Sequence, residues 1–82
     1  MQLELEHQKQ LHLNDLQPGD TGVIDCLHFN EDYKRRLCGM GLRCDDRITC
    51  IRRASWGGPM HVRVGSTDLF LRLKEASLIC LK

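Results

Sequence analysis

The chain has 82 residues, 41% of them hydrophobic but only 5% aromatic, and a formal net charge of +1. That length bounds it to one domain with a modest core, built mainly from Leu, Ile and Val, that can fold without disulfides or metal. No apolar run is long enough to cross a bilayer, and the near-neutral charge names no class of partner.

The charge is unevenly distributed. Residues 1–32 carry one Lys against seven acids, and residues 33–72 carry nine Lys and Arg against three. A small barrel is expected to mix these halves in space rather than present a basic face. Residues 1–10 are polar with a weak Leu3/Leu5 alternation, and read as a tail or an edge strand ahead of a single domain over residues 11–82. They have neither the apolar core nor the basic start of a signal peptide, so a cytoplasmic protein is expected.

Leu11–Leu16 reads as a short turn anchored by Leu13 and Leu16, and Gln17-Pro18-Gly19-Asp20 as a tight turn. Thr21–Phe29 is the first strand; apolar side chains fall on both of its faces, so its inward face stays open. Asn30 is a natural N-cap for a helix. Glu31 and Asp32 follow it and Lys34, Arg35 and Arg36 come later, in the order that suits the helix dipole. Tyr33, Leu37 and Met40 form one apolar stripe. Gly39 and Gly41 mark the stop.

Cys44-Asp45-Asp46 is a turn, Arg47–Ala54 a strand, and Ser55–Pro59 a sharply bent loop carrying Trp56. Met60–Val64 alternates, with Met60, Val62 and Val64 inward. Asp68–Leu73 places Leu69, Leu71 and Leu73 on one face, Lys74–Ser77 is one helical turn, and Leu78–Leu81 closes the chain. The fold class is therefore mainly β: a small antiparallel barrel of about five strands with one inserted short helix.

No catalytic set emerges. The serines lie in turns without an arranged His and acid, and the Gly57-Gly58-Pro59 loop lacks the Lys-Ser/Thr of a phosphate-binding loop. The expectation is a protein that is not an enzyme and takes no cofactor. The five cysteines are odd in number with no Cys-x-x-Cys spacing, so all should be free thiols. Cys26 and His28 fall on one strand face, and His7, His12 and His61 could supplement them. A closed metal shell cannot be assembled from Cys26 and His28 alone, so no tight transition-metal site is expected. Arg52, Arg53, Arg63 and Arg72 with Trp56 are too few aromatics for a nucleic-acid platform, and no nucleic-acid partner is expected.

Four stretches resemble the FeoA family: Leu16–Ile24; Tyr33–Leu42, with Arg36-Leu37-Cys38-Gly39-Met40-Gly41-Leu42 at the helix end; Trp56–Pro59; and Leu69–Leu81. Where the family has Pro-Gly after the helix this chain has Cys44-Asp45, and Asp tolerates left-handed geometry better than most residues. The resemblance implies an SH3-like barrel and a small cytosolic accessory protein of ferrous iron uptake. Its implied partner is the membrane ferrous iron transporter, through the transporter's cytosolic G-protein domain, without insertion into the membrane; a weak homo-oligomer is left open. Related barrels also form the C-terminal domain of metal-dependent repressors, so the alternative is a metal-sensing or nucleic-acid-binding barrel. For protein binding, the expected residues are Arg35, Arg36, Cys38 and Gly39 on the outer helix face, Arg43 at its exit, and Trp56 on its loop.

Overall fold

The computed structural model describes residues 10–82; the reading of residues 1–9 as a tail or edge strand lies outside them. The described residues form β1 (Leu11–His12), a 3-10 turn (Leu13–Asp15), β2 (Thr21–Leu27), α1 (Glu31–Gly39), β3 (Arg47–Arg53), β4 (Met60–Val64), β5 (Thr67–Leu71), α2 (Leu73–Ala76) and β6 (Ile79–Leu81). All pairings are antiparallel, in the order β1-β6-β2-β3-β4-β5. The barrel thus has six strands rather than five. The extra one is β1, where a turn was expected: Leu11 and His12 pair with Leu81 and Cys80 before Leu13 turns the chain inward.

β2 serves both halves of the sheet. Thr21, Gly22 and Val23 pair with β3, and Ile24, Cys26 and Leu27 pair with β6. The register shifts between Ile24 and Cys26, a β-bulge with Asp25 as the extra residue. A bulge bends its strand and re-aims the side chains beyond it. Ile24 and Leu27, three residues apart, are therefore both buried, while Asp25 and His28 are exposed. The bulge explains why apolar residues fall on both faces of this strand.

α1 is capped at both ends. The Asn30 side chain accepts from the Tyr33 N–H at 2.9 Å. At the other end the Leu42 N–H donates to the Leu37 carbonyl at 2.9 Å and the Gly41 N–H to that of Cys38 at 3.0 Å, with Gly41 at φ +103°. This is a Schellman stop, which brings Leu42 back onto Leu37. It corrects the expected stripe: Leu37 is 2% exposed and Leu42 fully buried, whereas Met40, at the C-cap, is 44% exposed. The turn into β3 places Asp45 at φ +73°, a left-handed position that Asp tolerates better than most residues.

The core runs from Leu13 and Leu16 through Ile24, Leu37, Leu42, Ile48, Met60, Val62 and Leu71 to Ile79 and Leu81, with Phe29, Tyr33, Leu69 and Leu73 packed on its rim. One polar contact joins the two helices. The Tyr33 hydroxyl donates to the Glu75 carboxylate at 2.7 Å, and the Arg72 N–H donates to the same carboxylate at 2.9 Å. The Tyr33 bond, then the Arg72 bond, holds the Glu75 carboxyl below its ordinary value. Its ionised form is thus favoured by folding, so the stabilisation is full above the unfolded pKa and lost as pH falls through the folded one.

Two outcomes test this packing. Leu37→Ala should cost about 2–5 kcal/mol in denaturant unfolding, as for other buried large-to-small changes, while Met40→Ala costs well under that. Tyr33→Phe should cost about 1.5 kcal/mol at neutral pH, the low end for a hydrogen bond to a charged group, because the contact is only partly buried. That difference should shrink as melts are taken to acid below the ordinary glutamate range, where the depressed Glu75 carboxyl finally takes up its proton.

Candidate functional site

The residues expected at a binding surface are all exposed: Arg35, Arg36, Cys38 and Gly39 on α1, Arg43 beyond it, and Trp56. They do not form one patch. Gly41 and Arg43, at the helix exit, line a hollow of about 410 Å³ with Asp46, Arg47 and the β4–β5 turn. Trp56 sits in the β3–β4 loop, at the opposite end of the β3–β4 hairpin. Six strand steps separate Arg47 from Arg53, about 20 Å at strand rise.

Trp56 is 81% exposed. Its ring lies over Gly58: a Cβ there would stand 2.7 Å from the ring and 2.8 Å from the Ala54 Cβ, so glycine leaves room at that position. Near the Trp56 loop stand Arg52 and His61, weighed above for nucleic acid and for metal, and Phe70, which the sequence reading did not use. Arg52, His61 and Phe70 sit side by side on β3, β4 and β5. Phe70 is 69% exposed and stacks on His61, ring centroids 4.5 Å apart. With Ala54 and Pro59 they line a largely apolar hollow of about 380 Å³ beside the Trp56 loop. The alternation that put Leu69 and Leu71 inward already placed Phe70 outward; that was the available signal.

The next pair along the same outward face is charged. Arg63 donates to Asp68 from Nε at 2.7 Å, and this bond holds the Asp68 carboxyl below its ordinary value and the Arg63 guanidinium above its own.

A second cluster lies on β2 and β6. The Cys26 Sγ is 3.4 Å from the His28 Nε2. Cys80, directly opposite Cys26 in register, adds a third donor, and all three donor atoms lie within 4.8 Å of one another. This removes the reason for expecting no metal site, which was that Cys26 and His28 stood alone. Cys80 is 1% exposed yet lies outside the core cluster that holds Ile79 and Leu81. Burial, then its hydrogen bond with Cys26, pushes its thiol up to about 11. His12, opposite Cys80 in β1, shares this face by register.

The strand order and the inserted helix define a small SH3-like β-barrel. The FeoA domain model matches residues 11–82, and the chain belongs to the FeoA family. A search of curated proteins gives no significant match. Among solved structures, iron(II) transport protein A from Clostridium thermocellum is 29% identical, with a TM-score of 0.80 over 88% of this chain and 44% of that one. A Stenotrophomonas maltophilia FeoA complexed with zinc, described as an SH3 domain protein, is 26% identical, with a TM-score of 0.71 over 88% and 89%. A manganese-dependent transcriptional repressor is 22% identical, with a TM-score of 0.76 over 88% of this chain and 40% of that one; this likeness is one of fold.

All five cysteines are free thiols. Under anaerobic conditions a thiol reagent should titrate two quickly, the exposed Cys38 and Cys44, and reach Cys50 and Cys80 only on unfolding. A total below five in denaturant would show a disulfide.

Proposed function

We propose that this chain is a non-enzymatic accessory protein of ferrous iron uptake that docks on the cytosolic domain of the ferrous iron transporter, and that it works in the cytoplasm. The observation that carries this reading is the FeoA domain match over residues 11–82. Among the described residues no helix is long and apolar enough to cross a membrane, so any role at a transporter is one of contact. The S. maltophilia relative is itself described as possibly a ferrous iron transport activating factor, which supports the same role here.

The docking residues are Trp56 on its loop and the arginines of α1. Trp and Arg dominate binding hot spots because they combine a large contact area with specific polar contacts. Arg35 and Arg36 can form bidentate pairs with carboxylates, and the exposed Cys38 and Gly39 let a partner backbone approach. These are two separate contact points on the chain, and the apolar hollow at Phe70 enlarges the one at the Trp56 loop.

The experiment is a pull-down of the transporter's cytosolic domain. Trp56→Ala and Arg36→Glu should each weaken capture at least about tenfold, a hot-spot loss of roughly 1.4 kcal/mol or more. The thermal midpoint should barely move, since both side chains are exposed. Lowered stability for Trp56→Ala with unchanged capture by both variants would place the contact elsewhere. Capture of DNA in place of the transporter domain would favour the repressor-like alternative.

A further inference from the structure

The Cys26, His28 and Cys80 cluster has no part in the docking reading. Its geometry depends on the β2 bulge. Without Asp25 as the extra residue, Cys26 would share the phase of the buried Ile24. With it, Cys26 turns to the outer face, where it meets Cys80 across the ladder and His28 two residues along. The pairing of β2 and β6 continues past the strand end, since the His28 N–H donates to the Leu78 carbonyl at 2.8 Å. His28 is therefore held at the backbone as well as through its ring.

The spacing fits a metal ion. A tetrahedral Zn²⁺ with sulfur at about 2.3 Å and nitrogen at about 2.0 Å sets neighbouring S and N ligands about 3.5 Å apart and two S ligands about 3.8 Å apart. The Cys26 Sγ and His28 Nε2 are already 3.4 Å apart, and no pair in the cluster exceeds 4.8 Å. Closing the remaining gaps takes about 1 Å of side-chain motion, within the reach of small χ adjustments. Cys80 is buried, Cys26 half-buried and His28 exposed, so an ion can enter past the imidazole.

We propose that Cys26, His28 and Cys80 form a three-ligand site for a thiophilic divalent cation, Zn²⁺ by preference, whose fourth coordination position is open. Two thiolates and one imidazole suit zinc-class ions, and such a donor set holds Zn²⁺ more tightly than Fe²⁺. Binding displaces the thiol protons of Cys26 and Cys80 to solvent and involves no change of oxidation state. The open position is what distinguishes such a site from a closed structural one. The site is independent of transporter docking, and its test uses the isolated chain.

The reduced full-length chain is titrated anaerobically with Zn²⁺ alone by calorimetry, and with Co²⁺ alone by absorption. The expected result is one Zn²⁺ per chain and a thiolate-to-cobalt charge-transfer band that Cys26→Ser diminishes. His28→Ala should weaken Zn²⁺ binding at least about tenfold, since even the loss of an outer-shell partner costs roughly 10–100-fold. Cys80→Ser should do the same; because Cys80 is buried, the exposed His28 carries the test if that variant does not fold. The double variant Cys38→Ser, Cys44→Ser should bind as the parent does. The proposal is overturned if no one-to-one binding is seen, if His28→Ala and Cys26→Ser leave it unchanged, or if the Cys38/Cys44 variant abolishes it. Tighter binding of Fe²⁺ than of Zn²⁺ would overturn the assigned preference.

Discussion

Ile24 is fully buried, and both of its backbone groups bond to the loop ahead of β3: its N–H donates to the Asp46 carbonyl at 2.9 Å, and its carbonyl accepts from the Asp45 N–H at 2.7 Å. At this residue β2 leaves β3 and joins β6, so without these bonds the strand would carry orphaned polar groups into the core. Such a group costs about 1–3 kcal/mol when left unpaired. The constraint reaches outward in two directions. It requires Asp45 at φ +73°, which sets how the chain returns from the helix. It also fixes where the bulge falls, and the bulge decides which side chains of β2 face the core and which face out. Lys82 closes the same corner, donating its N–H to the Val23 carbonyl at 2.8 Å and pairing its ammonium with Asp45.

The helix is tied to this barrel at its two ends more than along its length. At its start, Tyr33 reaches Glu75 on α2. At its end, the Schellman turn folds Leu42 onto Leu37. The arginines between these anchors remain in solvent, and four of the helix charges form two pairs within the helix itself, Lys34 with Glu31 and Arg35 with Asp32. Exposed i,i+3 pairs of this kind contribute little to stability, so the outer helix face is free to vary without loss of fold.

Much of the fold was legible from local patterns. The alternation over Met60–Val64, the Asn30 cap, the inward Leu71 and the turn around Asp45 all follow from residue type and spacing. What escaped were features set by pairing at a distance. A two-residue strand such as β1 has no period to read. Met40 fits the helical stripe by spacing, and only the geometry of the stop shows that Leu42 takes its place. Cys80 stands opposite Cys26 across 54 positions of sequence, and the bulge that aligns them has no signature beyond apolar residues on both faces. For the surface, the exposure of Trp56 was legible from its Gly-Gly-Pro loop. Its separation from the helix exit was not, because it depends on which end of the β3–β4 hairpin each occupies.

Trp56 is the one tryptophan of the chain, and it is largely solvated in the folded state. Its indole meets much the same solvent before and after unfolding. Its intrinsic fluorescence is therefore nearly blind to the melting of the barrel and sensitive to anything that covers the β3–β4 loop. The fold has placed its single natural optical reporter where it records company rather than integrity.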